Sequence, residues 1–593
     1  MIEVRSPLQG TVVRVAGTGD PVAAGGDVVV VESMKMEHAV AAPAAGVVTD
    51  VLVAHGDLVA VGDLLARLAP GAVAATSVAA VTGPRDDLLE VRARHDITLD
   101  AARPDSVERR RATGQRTARE NVADLLDPGS FVEYGPLVIA AQRRRRELQD
   151  LIDRTPADGL VGGVGTVAGH PIVAMSYDYT VLAGTQGLQN HRKKDRLFEV
   201  AERQRLPVVF FTEGGGGRPG DTDGTGVSGL DCLAFLFFGK LSGLVPLVGI
   251  TSGRCFAGNA AILGCCDVII ATAGSNIGMG GPAMVEGGGL GAFPPEAIGP
   301  MDVQVPNGVV DIAVPDEAGA VVAAQKYLSY FQGPTDDWTA PEPEVARRVV
   351  PANRLQVYDV RAAVEAIADV GSVLELRAAF GLGMVTALAR VEGRPLGIVA
   401  NNPLHLAGAI DADGADKAAR FLQLCDAFDL PVLFLCDTPG IMVGPEAEAT
   451  ALVRHVSRLF VTGANVTVPT GTIILRKGYG LGAQAMAGGS FKAPLFCIAW
   501  PTGEFGGMGL EGAVRLGYRK ELEAIDDPIE RERTFREMVD RMYTHGKAVN
   551  AASHFEIDDV IDPADSRRWI AASFAAAPRP LRSGKKRPNI DTW

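Results

Sequence analysis

The stretch Glu32-Ser33-Met34-Lys35-Met36-Glu37-His38 decides how the N-terminal region is read. A lysine between two methionines says little alone, because lysine is common and mostly solvated. Its flanks change that. Val28 to Val31 is a β-branched run that stops just before it, and Ala39 to Val47 is a small-residue segment with Pro43 and Gly46. The pattern predicts strand, tight turn and strand, with Lys35 at or near the tip. The plainer reading is a surface lysine on an ordinary hairpin. An internal repeat argues against it: a shift of 36 positions superposes Gly10 on Gly46, Val12 on Val48, Val15 on Val51, Val22 on Leu58, Gly26 on Gly62 and Asp27 on Asp63.

Two matching halves with a lysine turn between them resemble the biotinyl/lipoyl carrier fold, a flattened barrel with pseudo-twofold symmetry. The Met-Lys-Met setting resembles the biotin branch, since lipoyl domains usually carry Asp-Lys at that turn. The resemblance implies biotin bound covalently to Lys35 and, as a partner, the biotin protein ligase that attaches it.

At 593 residues the chain is too long for one core. Its 57 basic and 71 acidic side chains give a net charge of −14, which argues against nucleic acid as a partner. Anionic coenzyme ligands would then need local basic or N–H-rich sites. The cysteines (Cys232, Cys255, Cys265, Cys266, Cys425, Cys436 and Cys497) form no Cys-x-x-Cys and sit mostly in apolar runs. Buried thiols in a reducing cytosol are the expectation. Met1 to Arg5 lacks the apolar core of a signal peptide. No run reaches about 18 uninterrupted apolar residues, so no membrane span is expected and the location is read as cytoplasmic.

The expected division is 1–69 for the carrier, 70–85 for a linker, 86–345 for a first large domain and 346–593 for a second. Ala69 to Gly83 is a low-complexity tether, and some fifteen such residues would reach about 20 Å r.m.s. as flexible coil. Asp86 to Asp150 is polar and helical in tone. Its arginine runs, Arg109 to Arg111 and Arg143 to Arg146, are read as solvated helix faces rather than a phosphate site.

A second duplication spans the two large domains. An offset of 224 places Gly169 on Gly393, Pro171 on Pro395, Gly184 on Gly408, Lys193 on Lys417, Arg196 on Arg420 and Pro207 on Pro431. Each half reads as a strand, a glycine-bearing loop, an amphipathic helix (Lys193 to Gln204; Ala415 to Phe428) and a buried strand (Pro207 to Phe211; Pro431 to Cys436). Alternating strands and helices imply α/β layers. For Lys193 and Lys417 a structural role is preferred.

Each half also has a glycine-rich turn between strand and helix: Ser252 to Ala260, and Arg476 to Ala483. Such a turn aims free backbone N–H groups and the positive end of a helix dipole at one point. An enolate formed beside a thioester needs that chemistry. The alternative is that small residues merely permit close packing. Two turns at equivalent places favour paired anion-binding pockets.

From about residue 105 to 580 the chain resembles the two crotonase-like domains of biotin-dependent acyl-CoA carboxyltransferases. Gly114 to Glu120 and Asp127 to Glu133 resemble the opening helix and first loop. Further signatures are Ala400-Asn401-Asn402-Pro403, Asp416 to Phe421, Asp426-Ala427-Phe428, Ala499 to Glu504, Gly512-Ala513-Val514 and Ile557 to Pro563. The implied architecture is multidomain: a small all-β biotinyl barrel followed by two α/β crotonase-like carboxyltransferase domains. The resemblance implies that the first half binds the CoA ester and the second binds biotin, with the site shared between subunits of a homo-oligomer, usually a hexamer. Ala257 and Gly258 would cradle the enolate oxygen. Leu481 and Gly482 would hold the ureido oxygen of biotin, with Gly480 in the same cofactor-binding turn. No side-chain base is needed, because carboxybiotin releases CO2 and its ureido nitrogen then takes the α-proton. Glu213, Asp437 and Glu504 are read as structural or orienting.

Departures bear on the substrate. The family commonly has Gly-Gly-Ala in both turns, where this chain has Ala257-Gly258-Asn259 and Gly480-Leu481-Gly482. Glu213-Gly214-Gly215-Gly216-Gly217-Arg218 replaces the usual Ser-Gly-Gly-Ala-Arg. Gln484 stands where short-chain enzymes often have Asp or Ile. A carrier directly before a carboxyltransferase is similar to the C-terminal part of single-chain long-chain acyl-CoA carboxylases, so a longer acyl chain is one possibility. No Cys-x-x-Cys is present for the zinc ribbon of split bacterial acetyl-CoA carboxylase, and no metal site is expected. Nothing remains for an ATP-grasp domain, so ATP and Mg would enter only through a separate biotin carboxylase. The alternatives are a biotin-dependent decarboxylase or transcarboxylase component, and a non-catalytic biotinylated scaffold.

Overall fold

Short valine-rich strands build the N-terminal unit, Met1–Leu89, into two four-stranded antiparallel sheets. One runs in the order Ile2–Arg5, Leu64–Pro70, Gly46–Val51, Pro21–Val22, and the other Met36–Ala41, Asp27–Ser33, Gly10–Val15, Leu58–Val59. Val4, Val12, Val29, Val31, Val48, Leu65 and Leu68 fill the space between them. The repeat glycines mark equivalent close approaches. A methyl group on Gly10 would lie 2.3 Å from the Glu32 carbonyl oxygen, and one on Gly46 2.5 Å from that of Ala69. This computed structural model describes residues 1–73, 83–224, 231–577, 584–585, 587 and 589–593. Residues 74–82 of the expected tether lie outside the described residues, and its first two, Ala69 and Pro70, belong to a strand.

The second unit, Glu90–Trp593, holds the longer duplication. In its first half, Leu160–Val167 and His170–Tyr177 pair antiparallel, and Val208–Phe211, Leu247–Thr251, Val268–Thr272 and Ile312–Val314 continue the sheet in parallel. In its second half, Met384–Val391 and Arg394–Asn401 pair antiparallel, and Val432–Thr438, Thr470–Tyr479 and Phe496–Ala499 follow in parallel. Strand starts at 160, 170 and 208 recur at 384, 394 and 432, an offset of 224, and the next strands, starting at 247 and 470, are offset by 223. Parallel strands are buried on both faces, which explains their unbroken apolar runs such as Val208-Val209-Phe210-Phe211.

The helices after the hairpins differ from the expectation in one respect. Leu188–Gln204 is amphipathic, but Ala412–Ala427 is buried almost all round. Its outer face is covered by helix Leu452–Asn465, and Arg420 donates to the Asp267 carbonyl of the first half at 2.6 Å. Lys193 and Lys417 are buried at matching places and both donate to main-chain carbonyls: Leu160 for the former, Arg377 (2.8 Å) and Phe380 (2.9 Å) for the latter. Burial holds Lys193 down to about 8 and Lys417 to about 7. These bonds account for both as structural residues.

The arginine runs are not uniform solvated helix faces. Arg110, on helix Pro104–Arg111, turns inward and pairs with Glu213. Arg143 to Arg146 lie in a turn, where Arg143 pairs with Asp223 at 2.9 Å. Helix Ala118–Leu125 starts with a capping box, Thr117 accepting from the Glu120 N–H while the Glu120 carboxylate accepts from the Thr117 N–H.

Helix and sheet approach closely at Gly397, where a methyl group would lie 2.4 Å from Cys425 Sγ and 2.9 Å from the Phe421 ring. Gly397→Ala is expected to cost about 1–3 kcal/mol by overpacking. Urea unfolding followed by circular dichroism should show an earlier transition, while Gly512→Ala, with open space around it, should not.

Candidate active site

Lys35 sits at the tip of the hairpin formed by Asp27–Ser33 and Met36–Ala41. Ser33 is registered opposite Met36, which leaves a two-residue turn of Met34 and Lys35, with φ of 53° and 66°. Left-handed geometry at both central residues is that of a type I′ turn, which suits hairpins because it matches the twist of the strands and usually takes glycine or asparagine because both positions need positive φ. Two ordinary side chains hold it here, each at a cost of about 1–2 kcal/mol. The amine is thereby presented on a rigid, exposed tip beside Met34, which is 96% exposed. An exposed lysine on a stiff hairpin is suited to carry an amide-linked prosthetic group.

In the first half of the large unit, strand Arg254–Phe256 runs into Ala257, which has φ 52° and ψ −121°, and helix Gly258–Gly264 follows. The Ala257 N–H is already used: it donates to the Gly278 carbonyl at 3.0 Å. The expectation that Ala257 and Gly258 together cradle the oxygen therefore does not extend to the Ala257 N–H. Ala257 supplies the bend, and Gly258, which opens the helix and is partly exposed, supplies an N–H group with no carbonyl one turn back, while Asn259 behind it is fully buried. A second bent segment is tied to the turn through Gly215 and Gly216: Leu182, Ala183 and Gly184 have φ of 50°, 53° and 62°. The Gly215 N–H donates to the Ala183 carbonyl at 3.2 Å, and a methyl on Gly216 would sit 2.7 Å from the Ala257 methyl. The sequence reading missed this elbow.

The second half repeats the arrangement. Gly480 has φ 55° and begins helix Gly480–Ala485, while Leu406, Ala407 and Gly408 have φ of 48°, 54° and 88°. Here only glycine fits. A methyl on Gly480 would lie 2.8 Å from the Gly507 carbonyl oxygen, and one on Gly482 2.7 Å from Gly440 Cα. Leu481 is 60% exposed at the helix tip. A cavity of about 1190 Å³ opens against this turn, lined among others by Gly480, Leu481, Gln484, Phe505, Tyr518 and Met542.

The nearby carboxylates are held by partners. Burial pushes the Glu213 carboxyl up, against its bonds from Arg110 and Gln115. Asp437 pairs with Arg476 at 3.1 Å and accepts the Lys477 N–H at 3.1 Å, which anchors the strand entering the second turn. Glu504 accepts from the Tyr479 hydroxyl at 2.8 Å, and burial raises its pKa. Each braces the strand or loop leading into a turn.

Comparison with known proteins places this geometry. Residues 2–68 match the family described as biotin-requiring enzyme, and residues 109–590 match the carboxyl transferase domain. The chain is 34% identical over 505 residues to the methylmalonyl-CoA carboxyltransferase 12S subunit of Propionibacterium freudenreichii subsp. shermanii, covering 82% of this chain and 93% of that one. It is 31% identical to the biotin-dependent long chain acyl-coenzyme A carboxylase beta4 subunit of Mycobacterium tuberculosis, covering 82% and 94%. Among solved structures, a single-chain, multi-domain long-chain acyl-CoA carboxylase is 59% identical with a TM-score of 0.80. That match covers 96% of this chain, which spans 56% of that protein's length. The transcarboxylase 12S structure matches with 32% identity and a TM-score of 0.74, covering 86% and 99%. By its paired turns and by these matches, the chain belongs to the carboxyl transferase family, and it carries a biotin-requiring-enzyme domain at its N-terminus.

Proposed function

We propose that this chain is the carrier and carboxyltransferase component of a biotin-dependent acyl-CoA carboxylase. The single observation that carries the reading is the repetition of one bent turn, Ala257-Gly258 and Gly480-Leu481, in two superposable halves downstream of a tip lysine. Biotin on Lys35 would supply the carboxyl group. The protein's own contribution is main-chain. The N–H group of Gly258 holds the thioester oxygen as the α-carbon loses its proton, and the turn at Gly480, Leu481 and Gly482 holds the ureido oxygen. A preorganised donor of this kind is worth roughly 10²–10³ in rate.

The substrate is proposed to be a long-chain acyl-CoA. The 59% identity to a long-chain acyl-CoA carboxylase supports this, as does the exposed Gln484 side chain in the cavity where the family's short-chain members often carry Asp or Ile. The reading requires a biotin protein ligase and a separate biotin carboxylase that uses ATP and Mg. It also takes the chain to be a hexamer, as transcarboxylase 12S is, working in the cytoplasm. Among the described residues no helix is long and apolar enough to cross a membrane. A second reading, transfer in the opposite direction, is favoured by the 34% identity to a methylmalonyl-CoA carboxyltransferase and 30% to the methylmalonyl-CoA decarboxylase alpha subunit of Propionigenium modestum. Co-purification with a biotin carboxylase selects the first reading, and with a membrane decarboxylase subunit the second.

Lys35→Ala is expected to abolish biotinylation, seen as loss of the biotin mass increment in the intact protein. The biotinylated parent should exchange carboxyl between 2-carboxyacyl-CoAs and biotin without ATP, best with long chains. Gly482→Pro, which removes an N–H and distorts the turn, should lower that exchange at least a hundredfold. Absence of exchange at every chain length refutes the proposal.

A further inference from the structure

The two turns are built alike in backbone but not in what lies beneath them. Under the first turn Asn259 is fully buried and uses all four of its hydrogen-bonding sites. Its Oδ1 accepts from the Gly216 N–H (3.0 Å) and from Gln186 Nε2 (3.0 Å), and its Nδ2 donates to the carbonyls of Thr212 (3.1 Å) and Gly184 (3.3 Å). Gln186 Oε1 in turn accepts from Lys194 Nζ at 2.5 Å, and that amine also reaches the Tyr177 hydroxyl at 3.0 Å. Lys194 is fully buried as well.

This chain has a direction. Lysine can only donate to Gln186, so the glutamine oxygen must face it and the glutamine amide must face Asn259. That sets the Asn259 oxygen toward Gly216 and its amide toward Thr212 and Gly184. The asparagine thus ties the elbow at Gly184, the loop at Gly216 and the start of helix Gly258–Gly264 into one piece. Gln186 lies directly against the turn, since a methyl on Gly258 would sit 3.1 Å from its Nε2.

At the equivalent places the second half has Ile410 and Ala418, by the offset of 224, and Gly482, by the offset of 223 that holds from the strands starting at 247 and 470 onward. The backbone frame is the same: the Gln186 N–H donates to the Gly216 carbonyl at 2.8 Å, and the Ile410 N–H to that of Gly440 at 3.1 Å. The three polar groups, however, are absent together, and Gly482 presses directly on Gly440. Burying a lysine and two amides where an apolar set also folds carries a desolvation cost that packing alone does not explain.

We propose that Lys194, Gln186 and Asn259 form a positioning relay that fixes the first turn for a thioester oxygen and distinguishes it from the turn of the second half. The relay rests on the reading of the first turn as the ester site. The test compares the unbiotinylated parent with the double variant Gln186→Leu, Lys194→Met. That change replaces the buried polar pair with apolar groups of similar shape; because it also takes the Lys194 partner from the Tyr177 hydroxyl and one donor from Asn259, a lower thermal midpoint is expected, and the affinities are read at a temperature where circular dichroism shows the variant fully folded. Calorimetry with a long-chain acyl-CoA and with the S-alkyl-CoA thioether of equal length reads the carbonyl interaction as the ratio of the two affinities. In the double variant the ratio should fall about tenfold, through the acyl-CoA alone, with a similar fall in kcat of the biotinylated form. Asn259→Ala should lower the ratio further. A ratio and kcat within twofold of the parent would overturn the relay, and so would parallel loss of both ligands. A parent with no preference for the thioester would refute the ester-site reading itself, and the relay with it.

Discussion

A residue held at positive φ where a strand gives way to a helix bends the chain there and leaves the first amides of the helix with no carbonyl one turn back. Ala257 and Gly480 do this in the two halves, with φ of 52° and 55°. The rest of each half follows from keeping that bend in place. The parallel strands Leu247–Thr251 and Thr470–Tyr479 deliver the chain to it, and buried pairs such as Asp437 with Arg476 hold the delivery fixed. The bent elbows at Leu182–Gly184 and Leu406–Gly408 pack against the Glu213 and Asp437 carbonyls. Charge stabilisation by main-chain amides requires this rigidity, because a donor is useful only if it is already aimed.

The same economy governs the carrier. Its type I′ turn uses Met34 and Lys35 in a conformation that costs each of them about 1–2 kcal/mol. The cost is borne by a hairpin whose strand Asp27–Ser33 is buried from Val28 to Val31. Strained backbone at this tip is thus supported by regular structure on either side.

Much of this was legible in the residues. The 36- and 224-residue offsets exposed both duplications, because glycines and prolines at fixed backbone positions survive where other side chains drift. The glycine-rich turns were legible for the same reason. The elbows were not: Leu182, Ala183, Leu406 and Ala407 adopt positive φ with none of the residue types that signal it. Nor could the sequence show that the Ala257 N–H is spent on Gly278, since that bond depends on the parallel pairing of Arg254–Phe256 with Asn276–Gly278. The inward turn of Arg110 was hidden because its partner, Glu213, lies 103 residues away. The full burial of Ala412–Ala427 was hidden likewise, since its pattern is amphipathic and its cover comes from distant segments.

The account stands on a single N–H group being the working part of the first turn. Replacing residue 258 with glycolic acid converts that amide to an ester and removes the donor while leaving every side chain in place. The predicted result is a loss of roughly 10²–10³ in kcat for carboxyl exchange, with S-alkyl-CoA affinity retained. Exchange within twofold of the parent would contradict it.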